Sequence, residues 1–97
     1  LPKFPEVRRD LALLLDESVS YADLRKSALR VGKKLLKQVG LFDVYRGKQV
    51  EEGKKSVAFA LVYRDAEKTL TDEDVAGVHE AVLEALKEKL NAVLREM

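Results

Sequence analysis

Ninety-seven residues, 46% of them hydrophobic and 36% charged, suit one soluble globular domain with a modest core and no chain to spare. Eighteen basic against 17 acidic side chains leave a net charge of +1, too little to hold nucleic acid by bulk charge, so any such contact must be local. The lack of cysteine rules out a disulfide framework and thiolate metal sites and suits a reducing cytosol; no apolar run is long enough to span a bilayer or act as a signal peptide.

The chain opens on Leu1-Pro2-Lys3-Phe4-Pro5, an extended lead-in without an initiator methionine, which reads as a piece of a longer polypeptide, although terminal processing would give the same start. Residues 7–16 then alternate as a strand. Val7, Arg9, Leu11, Leu13 and Leu15 lie on one face, and Arg8, Asp10, Ala12 and Leu14 on the other. Ser20 with Asp23 forms a capping box, and Val19 with Leu24 a staple, so a helix is expected over 20–38. Leu24, Ala28, Val31 and Leu35 carry its buried stripe, with Gly32 inside it kept for close packing.

Gly40 marks the expected exit, and 41–48 reads as a second strand. A polar hairpin loop at 50–53 leads into a third strand at 55–63. There Val57, Phe59, Leu61 and Tyr63 face one way and Ser56, Ala58, Ala60 and Val62 the other. Thr71 with Asp74 repeats the capping box, Leu70 with Val75 repeats the staple, and a helix over 72–90 follows. Asn91 suits a left-handed helix end, which leaves 92–95 free for a short final strand, with a helix running to the end as the alternative. The order βαββαβ predicts a ferredoxin-like α+β sandwich, with two helices on one face of a four-stranded antiparallel sheet.

With both helices on one side, the other sheet face is uncovered. Asp10, Ala12, Asp43, Tyr45, Ser56, Ala58 and Ala60 are expected there. Small residues around a single tyrosine make a shallow platform that suits a flat, planar ligand.

Catalytic chemistry is hard to assemble. Without cysteine, and with His79 as the only histidine, no nucleophile–base–orienter set can be built. His79 sits beside Val78 and Val82 in the second helix and reads as a structural or surface histidine, because a base needs partners the sequence does not supply. Glu51-Glu52 and Asp72-Glu73 are explained by solvation and by the helix dipole, and no metal-ligating cluster is visible. Gly53-Lys54-Lys55-Ser56 fails as a phosphate-binding loop: Gly47 is one residue too far upstream, the serine comes one too late, and a strand follows instead of a helix. Arg46, Lys48, Lys54 and Lys55 in this hairpin could still touch phosphates, although a charged hairpin is often only solvated.

Tyr45 is the residue with most potential. On an open sheet flanked by small residues it could stack a base for about 1–3 kcal/mol, with Asp43 and Ser56 offering polar partners to the base edge. An ordinary surface tyrosine that favours strand structure fits the same residues.

KFPEVRRDLAL, LFDVYRGKQVEEGKKSVAFALVYRD and KTLTDEDV, in that order, closely resemble one family. It is the ferredoxin-fold anticodon-binding domain found at the C-terminus of bacterial phenylalanyl-tRNA synthetase beta subunits. The likeness covers nearly the whole chain. It implies one domain over 1–97 that binds the GAA anticodon of phenylalanine tRNA and takes no part in aminoacylation. It implies no cofactor in this domain, with ATP and magnesium used by the alpha subunit. The implied partners are the rest of the beta subunit and the alpha subunit, in a cytoplasmic (αβ)2 heterotetramer. By motif, the tyrosine of FDVYRG, Tyr45, corresponds to the stacker of the wobble guanine. Asp43 and the serine of GKKS, Ser56, correspond to contacts with that base, and the alanine of RRDLA, Ala12, lines the same surface.

Two other readings compete. A general single-stranded RNA platform of the RNA-recognition-motif kind is disfavoured, because paired aromatics on the central strands are missing. A regulatory or assembly module could instead use the open face for protein or small-molecule contact. A phosphatase of similar fold would need an arginine-bearing phosphate loop after the first strand, which DESVS does not provide.

Overall fold

A computed structural model describes residues 4–95, so most of the Pro-rich lead-in expected at 1–5 lies outside the described residues. The elements run β1 (Val7–Asp16), α1 (Tyr21–Gly32), β2 (Leu36–Tyr45), β3 (Lys54–Tyr63), α2 (Asp72–Leu90) and β4 (Val93–Arg95). The strands form one sheet in the order β2-β3-β1-β4, every neighbouring pair antiparallel. This is the ferredoxin-like sandwich that the periodicity predicts.

Both helices start as their sequences dictate. Ser20 Oγ accepts from the Asp23 N–H and Asp23 accepts from the Ser20 N–H; Thr71 and Asp74 make the same reciprocal pair. Asn91 ends α2 in the left-handed conformation, with φ 53°.

The core lies between the helices and one sheet face. Leu11, Leu13, Leu15, Val57, Phe59, Leu61 and Tyr63 meet Leu24 and Ala28 of α1 and Val75, Val82 and Leu86 of α2. Among the described residues, no helix is long and apolar enough to cross a membrane.

The first helix is shorter than expected. It ends at Gly32 rather than 38, and β2 begins at Leu36 rather than 41. The stripe of Leu24, Ala28 and Val31 does extend to Leu35, but Lys33 breaks the helix with a positive φ of 45°. Leu36 and Val39 instead gain burial and a hydrogen-bonded ladder opposite Tyr63 and Leu61 of β3, so tertiary pairing overrides local helix preference. Gly32 is the last helical residue, and Leu36 presses so closely on it that a side chain there would overlap Leu36 Cβ. Gly40, read as the helix exit, lies inside β2 opposite Ala60. The second strand stops at Tyr45, so the hairpin connection spans 46–53. Within it Val50 is buried rather than part of a solvated loop.

Candidate nucleic-acid interface

The uncovered sheet face is built row by row from the strand register. Tyr45 pairs directly with Ser56, which pairs with Leu14. In the next row Asp43 pairs with Ala58, Ala58 with Ala12, and Ala12 with Arg95 of β4. Gly40, Ala60 and Asp10 form the third row. Directly opposed side chains stand about 5 Å apart, and strands are spaced by about 4.8 Å. Tyr45, Asp43 and Ser56 therefore converge on one spot, and Ala12 lies two strands across from Asp43.

The chemistry of this spot follows from what each side chain touches. Tyr45 is 44% exposed, and its ring lies across the bare backbone of Gly47. Asp43 is exposed, and its carboxylate has no hydrogen-bond or ion-pair partner among the described residues. Ser56 is only 8% exposed, yet among the described residues its hydroxyl has no partner either and no unpaired polar side-chain atom is sealed from solvent, so it stays free to donate and accept. Ala12, at 9% exposure, adds floor without bulk. A ring, a carboxylate and a hydroxyl around alanines can hold a planar heterocycle by its face and its edge.

The basic residues of the hairpin do not act as one patch. The Arg46 guanidinium grips the exposed Glu17 carboxylate, with Nε 2.8 Å from both oxygens and Nη2 2.6 Å from Oε1. That hydrogen bond, more than the charge attraction, holds the Glu17 carboxyl below its usual range. Lys54 Nζ bonds Asp16 across the β1–β3 pair, which raises the Lys54 pKa. Lys55 has the parity of the core face, opposite Leu15, and borders a small cavity with Leu24 and Val57. Of these four, only Lys48 is both exposed and without an ion pair among the described residues.

Two open-face features escape simple alternation. A bulge between Leu41 and Asp43 sets two β2 residues against one on β3. Leu41 thereby pairs with core-facing Phe59 while Asp43 and Tyr45 face outward, although all three share one parity. The extra residue, Phe42, is 50% exposed and borders the open face beside Arg8, Gly40, Ala60 and Val62. Arg95 reaches the Asp43 row only through the pairing of β4 with β1.

His79 serves the fold. Its Nδ1 is 2.9 Å from Tyr63 Oη, the two rings meeting edge to face at 80°. Tyr63 is fully buried, and burial pushes its phenol up to about 12. Burial first, and then the Arg9 charge, keep the imidazole below its ordinary value. Among the described residues, no group of three or more His, Asp or Glu side chains is placed to hold a metal ion.

Comparison with known proteins identifies the family to which this fold belongs. The profile of the ferredoxin-fold anticodon binding domain matches residues 2–95. The phenylalanine–tRNA ligase beta subunit of Geobacillus kaustophilus is 53% identical over 95 residues, covering 98% of this chain and 12% of that protein. The beta subunits of Bacillus subtilis, at 50%, and Clostridium acetobutylicum, at 48%, align over the same shares. The chain thus spans about an eighth of the length of these relatives. With this fold, and with a profile match over almost its full length, the chain belongs to the ferredoxin-fold anticodon binding domain family.

Proposed function

We propose that this chain is the anticodon-binding module of a phenylalanine–tRNA ligase beta subunit, and that its open sheet face takes the first anticodon base, guanine, of phenylalanine tRNA. Tyr45 stacks on the base. Asp43 accepts from its N–H edge, and Ser56 supplies a donor–acceptor from the strand alongside. The observation that carries this reading is the register: Tyr45 beside Ser56, with Asp43 one row away, all on the face the helices leave bare.

Catalysis lies with the parent enzyme and its alpha subunit, joined in a cytoplasmic (αβ)2 heterotetramer. ATP and magnesium do not fit the residues present here. Gly53-Lys54-Lys55-Ser56 runs straight into β3 instead of a helix N-terminus, and among the described residues the carboxylates do not converge. Phosphate contact falls chiefly to Lys48, with Arg46 and Lys54 muted by their acidic partners and Lys55 turned toward the helix side.

The test is an NMR titration of the chain with an anticodon stem-loop RNA. Amide shifts should concentrate at residues 12, 43–45 and 56–60. Shifts confined to the helix face would overturn the proposal.

A further inference from the structure

We propose that the cleft beside Phe42 is a second subsite on the same face, for an unpaired nucleobase adjacent to the one on Tyr45. The inference rests on the RNA-binding reading above and extends it to residues which that reading leaves unused. Phe42 is the bulged residue of β2: alternation after Leu41, which pairs with core-facing Phe59, turns its ring to the open face, and the bulge turns Asp43 to that face as well. Its neighbours leave an open cleft of about 250 Å3, lined by Arg8, Gln38, Gly40, Leu41, Ala60 and Val62. That is close to the low end for small-ligand clefts, a scale that suits one heterocycle.

The walls match an unstacked base. Arg8 stands over the ring with its guanidinium carbon 5.8 Å from the centroid, and Asp10 steadies it through a 2.7 Å bond from Nε to Oδ1. Aromatic rings and guanidinium planes are the two surfaces on which proteins stack splayed-out bases. The Gln38 amide is exposed and has no hydrogen bond among the described residues, so it can donate to or accept from a base edge. Gly40 and Ala60 keep the floor low.

Spacing sets the occupant. Phe42 and Tyr45 are three residues apart on one strand, about 10 Å at the usual rise. Bases stacked as in a duplex strand lie about 3.4 Å apart, so bases on these two rings would be pulled apart from each other. Such an arrangement needs a flexible single strand that crosses β2 along its length. Asp43, between the two rings, faces the first base.

The experiment measures affinity of the chain for an anticodon stem-loop and for three derivatives, each with an abasic site at one anticodon position. The parent should lose affinity about five-fold or more for abasic sites at two adjacent positions. Tyr45→Ala should lose sensitivity to the first of these only, and Phe42→Ala to its neighbour only. Phe42→Leu, which keeps bulk but no ring, should behave like Phe42→Ala and guards against a folding artefact. If both Phe42 variants bind like the parent with every abasic penalty intact, as they would were this ring a contact for another protein segment, the subsite is refuted. The Tyr45 reading then stands, provided that Tyr45→Ala has lost its own penalty. Should Phe42→Ala weaken all four RNAs alike, the ring acts at a distance and the subsite is equally refuted. If neither Tyr45→Ala nor Phe42→Ala changes affinity, both readings fall.

Discussion

Gly47→Ala isolates the contact that sets where the Tyr45 ring rests. A methyl group at this position would lie 2.5 Å from Tyr45 Oη, 2.8 Å from Cζ and 3.3 Å from Cε2. Carbon atoms pack at about 3.5–4.0 Å, so the ring must swing away by roughly 1 Å or more. Backbone strain does not contribute, because Gly53, with φ 85°, is the only glycine among the described residues in the left-handed region. The displaced atoms are the far end of a partly exposed side chain, so the folded state should change by no more than about 0.5 kcal/mol. Binding is different. Stacking depends on where the ring lies, and the most that can be lost is the whole stacking contribution, about 1–3 kcal/mol. The assay is a double-mutant cycle with Tyr45→Ala, reading stem-loop affinity together with thermal stability. Gly47→Ala should weaken binding in the parent and do nothing further once the ring is gone. An equal loss in both backgrounds would refute the seat. So would unchanged affinity in the parent. Gly77→Ala is the control, because nothing lies near that position and helix propensity should raise stability by up to about 1 kcal/mol.

Asp43→Ala should relax discrimination between guanine and adenine at the first anticodon position while keeping most of the stacking affinity; a variant that discriminates like the parent would remove Asp43 as the reader. Lys48→Ala should weaken binding to every sequence and lower the slope of log affinity against log salt by about 0.7. Lys54→Ala, whose charge Asp16 already offsets, should change that slope less, and Glu17→Gln should raise affinity by releasing Arg46. The Tyr63–His79 pair makes stability fall at both ends of the pH scale. For Tyr63 the folded pKa lies above the unfolded value of about 10, so its contribution is intact below pH 10. As pH rises through about 12, roughly 2–3 kcal/mol should be lost, and Tyr63→Phe should abolish that alkaline limb. For His79 the folded pKa lies below the ordinary 6.5, so its contribution is intact above 6.5 and declines as pH drops through the folded value. Chemical denaturation across pH reads both limbs.

Legibility in the sequence follows the range of the interaction responsible. Capping boxes are local, and Ser20 with Asp23 and Thr71 with Asp74 could be read to the residue. The core faces of β1 and β3 were also plain, because both strands keep strict alternation along a single ladder. The start of β2 was not, since Leu36 and Val39 become strand residues only when Tyr63 and Leu61 lie opposite them.

The same dependence on a partner strand governs the site. Asp43, Tyr45, Ser56 and Ala12 are proposed from alternation and resemblance together; the register sets Tyr45 beside Ser56, with Asp43 one row away and Ala12 two strands across from it. Arg95 was out of reach because it joins the face only through β4. Phe42 was out of reach because a bulge is a mismatch between two strands, and one strand read alone cannot register it. A signal was present nonetheless. Leu41, Asp43 and Tyr45 share a parity but not a character, and a strand that pairs Leu41 with core-facing Phe59 yet turns Asp43 outward needs one extra residue between them. The residue that absorbs the mismatch is the aromatic one, so the bulge that turns Asp43 and Tyr45 outward sets them on the same surface as a second ring.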